Sequence, residues 1–187
     1  MKFEEQRLVT LLDGTPGIVR PIRPSDRGAL AGGFDALSPE SRVRRFFYNK
    51  QSLSEMELDQ LTHPDGVDHI AFGLAVKSPD TGEEMPVAVG RFFRDEAERD
   101  LAEIAFVTAD EWQGVGVGYA LMQSLTDAAL SVGIRRWFAS LLSDNTVSQR
   151  LLSRFGEKCE ERGTGGGVVE VIYKIVTPED SEDGGLS

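Results

Sequence analysis

Three stretches in the middle of the chain, residues 69 to 77, 86 to 94 and 101 to 108, are rich in apolar and β-forming side chains. Such runs are typical of β-strands when turn-forming residues bound them. A Ser-Pro-Asp-Thr-Gly cluster at residues 78 to 82 separates the first two, and the charged segment 94 to 100 precedes the third. The pattern therefore predicts an antiparallel hairpin that continues into a three-stranded meander.

The apolar period changes to that of a helix after these strands. Residues 117 to 130 carry apolar side chains at the spacing of one helix face. These positions are Val117, Leu121, Met122, Leu125 and Ala129. Farther along, the pattern predicts a strand at residues 136 to 142, a helix at 145 to 155 and a final strand at 168 to 176. We interpret the glycine-rich segment 163 to 167 as a hairpin loop.

The N-terminal third reads as one strand followed by helices. Residues 17 to 22 form a short β-rich run, and a Pro-Ser-Asp triplet then opens a helix that extends towards Leu37. Ser38 stands before a proline, which is the N-cap signal of a second helix ending near residue 47. Ser54 and Glu57 have the spacing of a capping box, so they predict a third short helix.

This order of elements predicts an α+β fold, in which a mostly antiparallel meander leads into a strand-helix-strand unit. We expect a single domain over residues 1 to 177, because no internal repeat or linker interrupts the pattern. Residues 178 to 187 are small and acidic, and we expect them to form a disordered tail.

Charge and composition narrow the possible partners. The 187 residues carry a formal net charge of -11, with an isoelectric point near 4.7. A surface of this sign repels polyanions, so we expect no general affinity for nucleic acid or anionic lipid. Such a surface would instead favour cationic partners, such as lysine-bearing proteins or polyamines, although solubility alone is the simpler explanation of the charge.

The cysteine content and the N-terminus favour a cytoplasmic location. Cys159 is the only cysteine, so an internal disulfide is excluded. The N-terminus lacks the apolar segment of a secretion signal, and no run of residues is apolar enough to form a membrane helix. Two histidines, His63 and His69, are too few to indicate a metal site, and we expect them at the surface or in loops.

Gly114, Gly116 and Gly118 lie at the start of the helix predicted from residue 117. Glycines at a helix start allow backbone N–H groups to approach an anion. The P-loop pattern fails because no lysine follows, and the dinucleotide fingerprint fails because its third glycine is absent. A tight turn or close helix packing is the simpler alternative.

Residues 113 to 118, Gln-Gly-Val-Gly-Val-Gly, match the pattern Gln/Arg-x-x-Gly-x-Gly/Ala and resemble the acyl-CoA pyrophosphate loop of the GNAT superfamily of N-acyltransferases. The resemblance covers residues 17 to 176 and implies the GNAT (acyl-CoA N-acyltransferase) fold, a mixed, mostly antiparallel sheet flanked by helices. Further segments resemble the catalytic domain of the bacterial protein lysine acetyltransferases: residues 37 to 42, 45 to 47, 102 to 106 and 110 to 113.

By resemblance, the cofactor is acetyl-CoA, which leaves as coenzyme A. The backbone around Phe106 and Val107 would pair with its pantetheine arm. The pyrophosphate would be held by backbone N–H groups of a continuous segment, namely Gln113, Gly114, Val115, Gly116, Val117, Gly118 and Tyr119. Asn145 and Ser148 match positions that contact the cofactor arm, although Asn145 is equally a good helix cap.

Glu103 is the candidate general base, since it matches the glutamate that this group uses. In an alternating strand it shares a face with the apolar Leu101, Ala105 and Val107, which is an unfavourable setting for a charge without a purpose. An exposed glutamate or the partner of a nearby arginine are the alternatives. Many family members also place a tyrosine acid on the last helix, but Leu152 stands at that position here.

The resemblance implies an N-acetyltransferase that transfers the acetyl group directly to an amine, most simply the side chain of a protein lysine. Acetylation of a small amine and a non-catalytic acetyl-CoA sensor are the alternatives. A helix with an arginine face and an aromatic core face is predicted at Arg42, Arg44 and Arg45. The resemblance implies that this helix lies close to the acceptor groove, because family members use this N-terminal helical region to shape substrate access.

Overall fold

Eight strands form one sheet in the computed structural model of the protein, which describes residues 6 to 78 and 81 to 176. The sheet has the strand order β1-β2-β3-β4-β5-β6-β8-β7. In chain order the strands are β1 Arg7–Thr10, β2 Pro16–Pro21, β3 His69–Lys77, β4 Glu84–Arg94, β5 Leu101–Thr108, β6 Arg136–Leu142, β7 Gly156–Gly165 and β8 Val168–Ile175. The predicted tail at residues 178 to 187 lies outside the described residues, and the single domain stays a prediction.

Helices cover both faces of this sheet. They are α1 Arg27–Ala36, α2 Pro39–Phe46, α3 Glu55–Thr62, α4 Val117–Ser131 and α5 Thr146–Leu152, with short 3-10 turns at Pro24–Asp26 and Asp110–Trp112. Within the described ranges, every helix is too short or too polar to span a lipid bilayer.

One pair of neighbouring strands, β5 and β6, is parallel, and its ladder is short. It consists of Leu101↔Arg136, Ala102↔Trp137 and Glu103↔Phe138. The other neighbouring strands pair in the antiparallel sense. Beyond Glu103, β5 stays paired with β4 and β6 with β8, so the two strands separate and a groove opens between them.

The helix α4 packs closely on one face of the sheet. Leu121 and Leu125 are fully buried there, and a Cβ atom at Gly90 would lie only 2.8 Å from Cδ1 of Leu125. Any larger residue at this position would require the Leu125 side chain to move. Because side chains alternate across a strand, Val89 and Arg91 point to the opposite face, against which α1 and α2 pack.

Most of the predicted elements are confirmed. The strands at residues 69 to 77, 101 to 108 and 136 to 142 have the predicted bounds. The capping box of Ser54 and Glu57 is present, and the hydroxyl of Ser38 accepts a hydrogen bond from the N–H of Ser41. The helix predicted at 145 to 155 is shorter and ends at Leu152.

Two edge strands, β1 and β7, were not predicted. β1 has only four residues, which is too short for a periodic signal. β7 is exposed on both faces after its first residue, so it carries charged side chains instead of an alternating apolar pattern. Its pairing with β8 confirms the predicted hairpin, whose turn contains Gly166 and Gly167 at positive φ.

The expectation that both histidines lie at the surface or in loops is wrong for His69. This residue belongs to β3, is 7% exposed, and stacks on Phe93 with 4.1 Å between ring centroids. The pKa of His69 is lowered from 6.5 to about 4, chiefly by burial, with the positive charge of Arg91 acting in the same direction. The pattern of β-rich residues predicted the strand, but the histidine was not recognised as part of the core.

We expect the stability of the protein to depend on the protonation of His69. The folded protein keeps His69 neutral down to about pH 4, whereas the unfolded chain protonates it below about pH 6.5. The unfolded state therefore binds more protons in this interval, so the stabilisation is complete above about pH 6.5 and is lost as the pH falls towards about 4.

This dependence can be measured by urea unfolding at about pH 7 and about pH 5. His69→Phe, which keeps an aromatic ring against Phe93, should lose less free energy of unfolding between the two conditions than the wild type. His63→Phe changes an exposed histidine and is the matched control. An equal loss in His69→Phe and wild type would contradict this account.

Candidate active site

The groove between β5 and β6 has a volume of about 410 Å³. One wall is the β5 segment from Glu103 to Thr108, and the other comes from the end of β6 and from α5. On its β6 side, β5 makes no ladder pairs beyond Glu103. This edge can therefore accept an extended chain as an additional strand, as predicted for the pantetheine arm at Phe106 and Val107.

The glycine cluster forms the turn that enters α4. Gly114 and Gly116 have φ angles of +80° and +93°, and Gly116 is the N-cap of α4. The loop is fixed from the outside, since the N–H of Leu12 donates to the carbonyl of Val115 at 2.9 Å. A Cβ atom at Gly118 would lie 3.1 Å from Cδ2 of Leu151 on α5. Glycine is thus favoured at Gly114 and Gly116 by the backbone conformation, and at Gly118 by the close approach of Leu151.

The N–H groups of this loop have no protein acceptor. From residue 114 to residue 119, none of them donates a hydrogen bond to any described residue. Consecutive free donors at the start of a 15-residue helix are suited to an anion. The N–H of Gln113 differs, because it donates to the carbonyl of Asp110 at 3.3 Å.

Asp110 ties the glycine loop to α2. Its carboxylate accepts hydrogen bonds from the backbone N–H of Ser38 at 2.8 Å and from the hydroxyls of Ser38 and Ser41. The side-chain amide of Gln113 donates to Asp110 at 3.2 Å and to Ser41 at 3.3 Å. The Ser41 hydrogen bond, together with those from Ser38, lowers the pKa of Asp110. The ionised carboxylate therefore holds the N-terminus of α2 beside the loop.

Glu103 lines the groove at the point where β5 and β6 separate. Its side chain is exposed, so the expectation of an apolar setting is wrong: Leu101 is buried, but the groove leaves Glu103 open to solvent. Arg45 interacts with it electrostatically, without a salt bridge among the described residues. A nearby arginine, which was one of the predicted alternatives, is thus present beside Glu103.

Asn145, Ser148 and Leu152 line the same groove, whereas Tyr119 is not among its lining residues. Asn145 is buried and caps α5, accepting a hydrogen bond from the N–H of Ser148 at 3.2 Å. Leu152, at the position of the missing tyrosine, is fully buried. Tyr119 packs on Phe155 with 5.0 Å between ring centroids. The capping role of Asn145 is confirmed, and contact of Asn145 and Ser148 with the cofactor stays a prediction.

The arginines of α2 divide into different roles. Arg42 donates to backbone carbonyls, among them that of Asp35 at 2.9 Å, and Arg44 forms an ion pair with Glu40 at 2.9 Å. Arg45 has neither kind of partner in the described part of the chain, and its guanidinium lies 5.0 Å from the Phe46 ring centroid. Within the same residues, no grouping of three or more His, Cys, Asp or Glu side chains is suited to a metal ion.

A family model for the acetyltransferase (GNAT) domain matches residues 18 to 158. The chain therefore belongs to the GNAT acetyltransferases, a class of enzymes that transfer acyl groups. The fold predicted by resemblance is confirmed, with a mixed sheet flanked by helices on both faces.

Individual relatives agree with the predicted subgroup. The chain is 30% identical over 165 residues to the acetyltransferase Pat of Mycolicibacterium smegmatis, covering 83% of this chain and 48% of that protein. It thus spans about half the length of this curated relative. The GNAT domain of S. lividans PAT has 32% identity and a TM-score of 0.77, with 91% of this chain and 97% of that chain covered.

One solved neighbour contains the predicted cofactor. The yncA protein of Salmonella typhimurium was solved with acetyl-CoA, and it has a TM-score of 0.64 at 15% identity, covering 85% of this chain and 92% of that chain. It shares the fold, and its cofactor agrees with the prediction of acetyl-CoA here.

We expect Gly114→Ala to weaken acetyl-CoA binding by about 5- to 30-fold, since the left-handed conformation costs an L-residue about 1–2 kcal/mol. Relief of that strain would turn the loop N–H groups away from their shared direction. Isothermal titration with acetyl-CoA measures the change.

Gly165→Ala is the matched control for this substitution. Gly165 also has a positive φ, at +91°, and an added Cβ would meet nothing within 4 Å at either glycine. Because Gly165 lies in the β7–β8 hairpin, its variant should lose stability and keep the affinity for acetyl-CoA. Unchanged affinity in Gly114→Ala would contradict the role of the loop.

Proposed function

We propose that the protein transfers the acetyl group of acetyl-CoA to the side-chain amine of a protein lysine, with Glu103 as general base. The observation that supports this most directly is the position of Glu103. It forms the last parallel pair before β5 and β6 separate, and it lines the groove that opens there.

Two features of the groove match successive parts of acetyl-CoA. The free donors of residues 114 to 119 suit the pyrophosphate, and the unpaired edge of β5 suits the amides of the pantetheine arm. An arm that follows β5 from Thr108 towards Glu103 would end near this carboxylate. Acetyl-CoA supplies an acetyl group already activated as a thioester.

A base is required because the acceptor must be a neutral amine. A lysine side chain has a pKa near 10.4, so fewer than about one in a thousand is neutral at pH 7. The carboxylate of Glu103 would take one proton from the lysine ammonium group and so give the neutral amine. After the amine nitrogen bonds to the acetyl carbon, the second N–H proton would pass to solvent as the carbon–sulfur bond breaks. With Leu152 in place of a tyrosine, coenzyme A would leave as a thiolate, which a thiol of ordinary pKa near 8.5 permits.

A protein lysine is favoured as the acceptor by the relatives and by the surface around Glu103. The matched relatives include two proteins of the Pat type. Glu103 is exposed, and the aromatic side chains of Phe47 and Tyr48 are exposed at the end of α2 nearby. A net charge of -11 also favours approach by a lysine-rich surface.

The acceptor class can be tested with isotopically labelled acetyl-CoA and a deacetylase-inhibited extract that retains its small molecules. Label on protein lysines that requires Glu103 would support the proposal. Label confined to small amines would show that the acceptor is a small molecule instead of a protein lysine. Binding of acetyl-CoA without any transfer would favour the hypothesis of a non-catalytic sensor.

Glu103→Gln should lower turnover by about 10²- to 10⁴-fold, since the amide cannot accept the amine proton. Its affinity for acetyl-CoA should stay near that of the wild type, because the shape of the side chain is kept. Glu160→Gln, at an exposed position of β7, is the matched control and should retain full turnover. Equal turnover of Glu103→Gln and wild type would remove Glu103 from the mechanism.

A further inference from the structure

A second cavity lies on the α1–α2 side of the sheet, with a volume of about 130 Å³. Its walls come from α1, α2 and the strands β2, β3 and β4, and they are mostly aliphatic or aromatic. An engineered apolar cavity of about 150 Å³ is large enough to bind benzene. This cavity therefore has room for a compact apolar group.

Arg91 places a buried positive charge in the wall of this cavity. The residue is only 4% exposed, and its Nη1 donates to the carbonyl of Leu61 at 3.0 Å. No carboxylate among the described residues forms a salt bridge with it. Burial lowers the pKa of Arg91 to about 10, and the charge of Arg45 contributes in the same direction.

Arg45 is the second cation of the cavity wall. Burial lowers its pKa, with Glu103 acting in the opposite sense. The remaining charges in the wall, Arg20 and Asp26, neutralise each other through two hydrogen bonds of 2.8 Å. Among the described residues, the charges of the cavity wall that lack a salt bridge are thus those of Arg45 and Arg91.

We infer that this cavity binds a small carboxylate with a compact apolar body, whose carboxylate lies between the guanidinium groups of Arg45 and Arg91. A guanidinium presents paired donors that match the geometry of a carboxylate. A buried cation without a counter-ion is costly, and a bound anion removes that cost while the body of the ligand fills the apolar part.

The site adjoins the groove, because Arg45 and Val107 belong to the walls of both cavities. A ligand could thus carry its own amine and act as an acceptor, or it could be a separate effector. Both share the recognition of a carboxylate. Binding in either case is independent of the proposed transfer, so it is measured without acetyl-CoA.

Benzoate is the probe, and benzamide is the neutral molecule of the same shape. Titrations followed by nuclear magnetic resonance would use the wild-type chain, Arg45→Met and Arg91→Met. Arg162→Met is the control, since Arg162 is an exposed arginine on β7. Should Arg91→Met fail to fold, Arg91→Lys retains the charge and tests the loss of the paired donors.

We expect saturable binding of benzoate to the wild type and the control, weaker by about tenfold or more in both cavity variants. Benzamide should bind more weakly than benzoate to the wild type. The inference is overturned if benzoate does not saturate, if benzamide binds equally well, or if the arginine variants bind as tightly as the control.

An experiment with 4-(aminomethyl)benzoate and labelled acetyl-CoA distinguishes a ligand that is an acceptor from one that is an effector. Label on this compound that depends on Arg91 supports a carboxylate-bearing acceptor. Saturable binding without labelling, together with an altered rate on a lysine peptide, supports an effector at the same site. Absence of saturable binding by this compound counts against the site.

Discussion

β5 and β6 pair over three residues, ending at Glu103↔Phe138, and then each continues with a different neighbour. Every other feature of the groove depends on this separation. It leaves one edge of β5 unpaired, and it places Glu103 at the apex. It also opens the space that α5 and the glycine loop border. A longer parallel ladder would close the groove with backbone hydrogen bonds.

The glycine loop is held from two directions. Leu12 fixes it on the side of β1, and Asp110 joins it to α2 through Ser38 and Ser41. The same carboxylate therefore helps to position the helix that carries Arg45. The pKa of Asp110 is lowered in the folded protein. The connection therefore stabilises the fold at pH values above the pKa of the unfolded carboxyl group, and it is lost as the pH falls through the folded pKa.

Arg45 connects the two cavities of the molecule. It interacts with Glu103 on the groove side and with Arg91 on the side of α1. Since it has no salt bridge within the described chain, its charge is available to groups in either cavity. A small anion and the acceptor amine would therefore be recognised close to each other.

Much of the fold and of the candidate site could be predicted from the sequence, because local signals carry them. The capping box of Ser54 and Glu57, the apolar face of α4 and the spacing of Gly114 and Gly116 depend on neighbouring residues. The edge strands β1 and β7 were missed, since short or exposed strands lack an apolar period.

The surroundings of individual side chains were decided only by the tertiary structure. His69 is buried by the stacking of Phe93 from the next strand, and Glu103 is exposed at the last pair before β5 and β6 separate. In the sequence, Arg91 is a single charged residue within a β-rich run. In the structure, α1 and α2 enclose it beside Arg45. By itself the sequence determined most of the elements, the glycine loop and the resemblance to the family. Burial and charge pairing depend on residues distant in sequence, so only the folded chain could decide them.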